Sequence, residues 1–154
     1  MTVVWLALLM GVVAGSRSMM APAAVSWAAR LGWIDVTGSW LAWLGYAWTP
    51  WIVTLFALGE LVADQLPSTP SRTLPPSFAF RIASGALCGV AIAMAASSGI
   101  AGAVAGAVGA VVGTLGGRAM RGSLAAAFGH DRPAALLEDA LAIGAAFLIA
   151  LSLR

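Results

Sequence analysis

The stretch Gly15-Ser16-Arg17-Ser18-Met19-Met20-Ala21 places a guanidinium in the middle of an apolar segment. A related stretch, Gly116-Gly117-Arg118-Ala119-Met120-Arg121-Gly122, recurs near the other end of the chain. Both follow runs of apolar and small residues. An arginine in hydrocarbon costs roughly 2.5–3.5 kcal/mol on insertion scales. Each of the two arginines therefore needs a polar partner, access to water or a functional role.

The composition predicts a helical membrane protein. The chain has 154 residues, of which 61% are hydrophobic and only 9% charged, whereas soluble domains are about a quarter charged. Long unbroken apolar runs favour transmembrane helices over the alternating strands of a barrel. We therefore expect one all-α, polytopic domain over residues 1–154, in the lipid bilayer of a bacterial inner membrane. A net charge of +2 excludes a nucleic-acid partner.

The apolar segments predict about five spans, which cover residues 3–31, 49–65, 79–97, 99–128 and 133–153. Proline removes a backbone donor and crowds the preceding turn, so we expect a broken helix at residues 15–22, next to Pro22. The favoured interpretation of the first segment is a single span with a break and a tilt. The alternative is two half-helices in a re-entrant hairpin. A second broken helix is predicted at residues 113–122.

Two segments between the spans are predicted to be connections. Residues 32–48 are rich in tryptophan, which favours an interfacial loop or a short surface helix. Residues 66–77 contain four prolines, which predict a loop.

The arginines give a prediction of orientation. With one full span over residues 3–31, the face of the N-terminus carries Arg72, Arg81, Arg121 and Arg132, and the opposite face carries Arg30 and Arg154. Positive residues favour the inside, so we expect the N-terminus inside and the C-terminus outside.

The two arginine motifs suggest an inverted repeat. Residues 3–65 and 99–153 would each contain a broken helix followed by one span, with the span at 79–97 linking them. A single intervening span reverses the second unit, and inverted repeats with broken helices are typical of transporters.

Ionisable residues inside the predicted spans are the candidate functional residues. Glu60 and Asp64 are four apart and share a helix face, while Glu138 and Asp139 lie near the start of the last span. They either form a polar cluster with the arginines or act as structural ion pairs. The predicted substrate or ion pathway comprises Arg17, Arg118, Glu60, Asp64, Glu138 and Asp139.

A glycine-rich face on the fourth span predicts close helix packing, because small residues at spacings of three or four let backbones approach. Packing within the protomer is the favoured interpretation, and a homodimer contact is the alternative. The residues are Gly102, Gly106, Gly109, Gly113 and Gly117.

No catalytic or cofactor set is predicted. His130 and Cys88 are the only residues of their types and lie far apart, so we expect no metal site and no cofactor. No nucleophile motif is visible, and an enzyme is not expected.

Three motifs resemble the family of small bacterial membrane proteins known as domain of unknown function 4126. They are Gly15-x-Arg17-Ser18 with Ala21-Pro22 and Ala28-Ala29-Arg30-Leu31-Gly32, then Glu60-Leu61-Val62-Ala63-Asp64-Gln65-Leu66-Pro67, and Glu138-Asp139-Ala140-Leu141-Ala142. Many members have acidic and aromatic residues after the proline, where this chain has Ser68-Thr69-Pro70-Ser71-Arg72. The resemblance implies a helical membrane fold and highlights Arg17, Glu60, Asp64 and Glu138, but it implies no activity.

The sequence therefore predicts a transporter or channel for a small or anionic solute or ion. The alternative is a membrane scaffold or assembly factor that packs through its glycine-rich helix. An enzyme that acts on a lipid headgroup is the least favoured hypothesis.

Overall fold

The computed structural model describes residues 2–64 and 73–154, which form a helical bundle. Two short 3-10 helices, Ala42–Gly45 and Met94–Ala96, lie in the connections between the longer helices. The predicted all-α class is confirmed for this part of the chain. The helices are α1 (Thr2–Ser16), α2 (Met20–Arg30), α3 (Thr49–Ala63), α4 (Pro75–Ala93), α5 (Gly99–Phe128) and α6 (Asp131–Leu151).

Helix length separates these elements into two groups. Pro75–Ala96, Gly99–Phe128 and Asp131–Leu151 are long and apolar enough to cross a membrane. Helices α1 and α3 have 15 residues each, so each is about 22 Å long against a hydrocarbon core of about 30 Å.

The first apolar segment is broken, as predicted, between Ser16 and Met20. Pro22 lies in the first turn of α2, where its missing N–H would have no partner in the helix in any case. The proline therefore suits the start of the new helix.

Helix α1 runs parallel to α5. Gly11 packs against the backbone of Gly106, and Gly15 packs against that of Ala110, so the sequence numbers rise together along the two helices. Helix α6 runs antiparallel to α5, because only the turn at residues 129–130 separates them.

Helix α2 runs parallel to α6. Arg17, just before α2, bonds Asp139 near the start of α6, and Trp33, just after α2, lies 5.5 Å beneath the guanidinium of Arg154 at the end of α6. Helices α1 and α2 are therefore antiparallel and form a helical hairpin, as the alternative interpretation of this segment required. The favoured prediction of one tilted span over residues 3–31 is wrong, because the chain reverses direction at the break.

The hairpin also corrects the predicted placement of the termini. Thr2, the connection 31–48 and Ser152 all lie at one end of the bundle, here called the tryptophan end. Asp64, Thr73 and Gly129 lie at the other, here called the turn end. The prediction of termini on opposite membrane faces required residues 3–31 to cross the bundle, whereas both termini lie at the same end of it.

Helix α5 is continuous from Gly99 to Phe128, so the predicted break at residues 113–122 is wrong. Glycine lowers helix propensity by about 1 kcal/mol, but a buried glycine also admits a close helix contact. Gly113 packs directly on the backbone of Val12. The inverted repeat loses its second broken helix and remains a prediction.

The glycine-rich face of α5 packs within the chain, in a groove between α1 and α4. Gly102 and Gly106 meet the backbone of α4, at Gly89 and Gly85, where an added Cβ would collide with main-chain atoms. Gly109 and Gly113 meet α1 in the same way, and Gly117 is also buried. The opposite face of α5 is exposed and apolar, with Ile100, Val104, Val108, Val112 and Leu115.

Helix α3 is attached to the bundle through α2. Trp27 meets Trp51 edge to face with ring centroids 5.0 Å apart, and its Nε1 donates to Thr54 Oγ1 at 3.0 Å. The outer side of α3 is exposed, including Leu55 and Phe56. The predicted loop at residues 66–77 lies largely outside the described residues, and Pro75 already belongs to α4.

Candidate functional site

Arg17 lies at the turn of the hairpin, and its side chain is fully buried. Its Nε donates to Asp139 Oδ1 at 2.6 Å, and its Nη1 donates to Asp64 Oδ2. Its Nη2 lies 3.8 Å from Glu138 Oε2 and also pairs with Asp139. One guanidinium thus meets carboxylates from two other parts of the fold, the end of α3 and the first half of α6.

This pairing explains how the charges are buried. Glu138 is 1% exposed and Asp139 is 8% exposed. An isolated charge at such a position would cost several kcal/mol, whereas a paired and hydrogen-bonded one is tolerated. The five-donor fork of arginine suits several carboxylates at once.

Glu60 caps the start of α2. Its Oε1 accepts from the Ser18 backbone N–H at 2.8 Å and from the Ser18 hydroxyl at 2.6 Å, and its Oε2 accepts from the Met19 N–H at 2.8 Å. These amides have no partner within the helix. A negative charge at a helix N-terminus adds about 0.3–1 kcal/mol, and more when partly buried.

Arg81 caps the end of α1. Its Nη1 donates to the carbonyl oxygens of Gly15 and Ser16, both at 2.8 Å, and its Nη2 lies 3.6 Å from Glu60 Oε1. A cation at a helix C-terminus is favourable for the same dipolar reason.

Two hydroxyl groups also bond the backbone of the turn. Ser84 Oγ donates to the carbonyl oxygen of Ser18 at 2.6 Å, and Thr114 Oγ1 lies 3.1 Å from that of Gly15. Side chains from α3, α4 and α5 therefore bind the backbone groups that the break exposes. In an apolar setting each unsatisfied backbone group would cost several kcal/mol. These contacts remove that cost and so allow the turn to be buried.

The structure brings most of the predicted site residues together. Arg17, Asp64, Glu138 and Asp139 form one cluster, here called the Arg17 cluster. Glu60 lies beside it at Ser18.

Arg118 does not join the Arg17 cluster, which corrects the prediction. It is exposed, and its Nη1 lies 3.2 Å from Thr73 Oγ1. Gly117 faces the interior, and the next residue along a helix is turned by about 100°. Arg118 therefore points away from Arg17.

Two arginines in the site were not predicted as site residues. Arg81 and Arg121 entered only the prediction of orientation. Arg121 Nη1 lies 3.8 Å from Glu138 Oε2, and its Nε donates to Asp131 Oδ1 at 2.9 Å. Helical spacing carried a signal for Arg121, because it lies four residues after the buried Gly117. The same spacing links Arg81 to the buried Gly85.

A cavity of about 310 Å³ reaches the Arg17 cluster from between α1, α5 and α6. Glu138 and Ser16 are polar residues in its wall, and Gly113, Gly116 and Gly117 widen it on the α5 side. The carboxylate of Glu138 therefore separates this cavity from Arg17.

The lone histidine and cysteine lie apart from this site. His130 is in the α5–α6 turn, with Nδ1 3.3 Å from the carbonyl oxygen of Phe128, and Cys88 is buried in the core. Within residues 2–64 and 73–154, no group of three His, Cys, Asp or Glu side chains is arranged to hold a metal ion.

Comparison of the chain with protein-family profiles, with curated proteins and with solved structures found no match. The resemblance to the family of domain of unknown function 4126 consequently rests on the three sequence motifs alone.

Proposed function

We propose that the chain is an integral membrane protein and that the Arg17 cluster is the site of a transporter or channel for a small or anionic solute or ion. The observation that carries this proposal is the helical hairpin, whose turn brings a buried guanidinium against carboxylates from two other segments. Interior charges in membrane proteins are functional candidates by default. Broken helices that end at the site are a recurring device of transporters.

The membrane placement is supported by the surface of the bundle. Three helices are long and apolar enough to span, and the outer rows of α3 and α5 expose large apolar side chains. In this proposal α4 to α6 cross a bacterial inner membrane, and the shorter helices α1, α2 and α3 enter it from the tryptophan end. Membership of the family of domain of unknown function 4126 is likewise a proposal.

The cavity beside Glu138 supports a route for a solute. It lies between apolar residues of α1 and Glu138, one of the carboxylates that hold Arg17. An anion that replaced one of those carboxylates would find a forked donor suited to carboxylate or phosphate. A cation or proton would instead bind the carboxylates of Glu138 and Asp139.

Reconstitution of the full chain in liposomes tests the proposal. Flux would be followed separately for protons with a pH-sensitive dye, for potassium and for chloride. We expect at least one probe to move, and the Glu138→Gln variant to reduce its rate by about tenfold or more, which corresponds to about 1.4 kcal/mol. Arg118→Gln is the matched control and should leave the rate unchanged.

Two results would reject the proposal. One is the absence of flux for every probe in liposomes that contain folded protein. The other is a flux that Glu138→Gln, Glu60→Gln and Arg17→Ala all leave unchanged, which would reject the Arg17 cluster as the site.

The glycine-rich face does not support the scaffold alternative. Gly102, Gly106, Gly109 and Gly113 are covered by α1 and α4, so a partner would need another surface.

A further inference from the structure

An apolar groove of about 440 Å³ lies between α2, α3 and α6. Its walls include Ala24 and Trp27 from α2, Leu58 from α3, and Ile143 and Phe147 from α6. The groove exists because α3 packs on α2 through Trp27 but stands away from α6. Its long, carbon-lined shape fits an acyl chain.

The groove reaches the tryptophan end of the bundle, where Leu31 and Trp33 line it. The guanidinium of Arg154 lies over the Trp33 ring, 5.5 Å from its centroid. Arg30 directly precedes Leu31, and both arginines are exposed. Arg30 also lies three residues after the groove-lining Trp27, on the same side of α2, so cations from the ends of α2 and α6 lie near the mouth of an otherwise apolar groove.

The nearest acid in the sequence is engaged in its own loop. Asp35 Oδ1 accepts from the Thr37 hydroxyl at 2.5 Å and from the Thr37 N–H at 2.9 Å. These two hydrogen bonds lower the pKa of Asp35 below its usual value. It stays ionised, and its carboxylate is turned toward Thr37.

We propose that the groove binds one anionic phospholipid, with an acyl chain along Trp27 and Leu58 and the phosphate at Arg30 and Arg154. Guanidinium groups bind phosphate through charge-assisted hydrogen bonds, and tryptophan favours the headgroup level. The proposal rests on the membrane placement proposed above but not on transport. A second copy of the chain would not account for paired cations at the mouth of the groove.

Native mass spectrometry of the full chain, released from detergent, tests this assignment. The protein would be titrated with phosphatidylglycerol or phosphatidylcholine of identical acyl chains. We expect phosphatidylglycerol to be retained at least about tenfold more strongly. The double variant Arg30→Gln/Arg154→Gln should bind both lipids alike. Arg132→Gln, which removes an exposed arginine near the turn end, should keep the preference.

The acyl-chain half of the proposal needs its own variants. Ala24→Trp should fill the groove and abolish retention of both lipids. Leu58→Trp narrows the groove from a half-exposed position on α3, so it tests the same point if Ala24→Trp fails to fold.

Three outcomes would overturn the proposal. They are equal retention of the two lipids by the wild type, a preference that survives the double arginine variant, and retention unaffected by the groove variants. A dimer mass in place of lipid would assign the groove to a second copy and would overturn it as well. Loss of flux with intact lipid retention would reject the proposed function alone, and the reverse would reject this inference alone.

Discussion

Arg81 and Glu60 cap the two sides of one helix break, and their side chains lie 3.6 Å apart. Arg81 holds the last carbonyls of α1, and Glu60 holds the first amides of α2. Each charge complements the dipole of the helix end that it binds. Their pairing ties α3 and α4 to the turn and fixes where Arg17 lies.

We predict that Glu60→Ala destabilises the fold by roughly 1–3 kcal/mol, because it leaves the Ser18 and Met19 amides without an acceptor. Glu60→Gln should cost less, since its one amide oxygen still accepts. Thermal unfolding of the purified protein in detergent would measure both. Equal stability of the alanine variant and the wild type would contradict the capping role.

We predict that Arg17→Gln costs roughly 3–5 kcal/mol, because it removes the buried cation that Asp64, Glu138 and Asp139 share. The melting temperature should fall by on the order of 10 °C. Arg118→Gln is the control, and as an exposed change it should stay within about 0.5 kcal/mol. A comparable loss in both variants would mean that burial does not distinguish the two arginines.

We predict that Gly106→Ala is strongly destabilising, since the added Cβ would collide with the backbone of Gly85 in α4. Gly116→Ala lies on the same helix in open space, so it should be neutral or gain up to about 1 kcal/mol of helix propensity. Chemical or thermal unfolding of the two variants side by side gives the measurement. If Gly116→Ala were the more damaging change, the packing of α5 would have to differ from that described.

We predict that both termini lie on the same side of the membrane, because the α1–α2 hairpin returns the chain to its starting face. Topology reporters fused at residues 2 and 154 should give the same signal in cells. A reporter inserted in the α5–α6 turn beside Gly129 should give the opposite one. Opposite signals from the two termini would restore a full first span and exclude the hairpin.

Several elements of the fold were predictable because their signals are local. The end of α5 and the start of α6 follow from the turn signals at Gly129 and Pro133, and the start of α3 follows from Pro50 at the head of an apolar run. The break after Ser16 follows from a cluster of small and polar residues. By contrast, the direction of α2 after that break depends on Arg81, Glu60 and Thr114, which are remote in sequence, and so the prediction of one tilted span was wrong.

The candidate site was also predictable only in part. The rarity of charges made Arg17, Glu60, Asp64, Glu138 and Asp139 candidates, because buried charges in an apolar chain need partners. A sequence motif made Arg118 look equivalent to Arg17. Helical register decides otherwise, since it turns Arg118 outward and leaves Arg121 to reach Glu138.

The sequence by itself determined an all-helical chain with long apolar helices, a break beside Arg17 and a short set of buried charges, because these follow from composition and local spacing. Only the tertiary structure decided that the break is the turn of a hairpin, that the glycines pack against α1 and α4, and which guanidinium meets which carboxylate. Those outcomes depend on contacts between different helices, and the carboxylates that meet Arg17 lie more than forty positions away from it. A local pattern does not specify which distant backbone or side-chain group will satisfy a buried polar group.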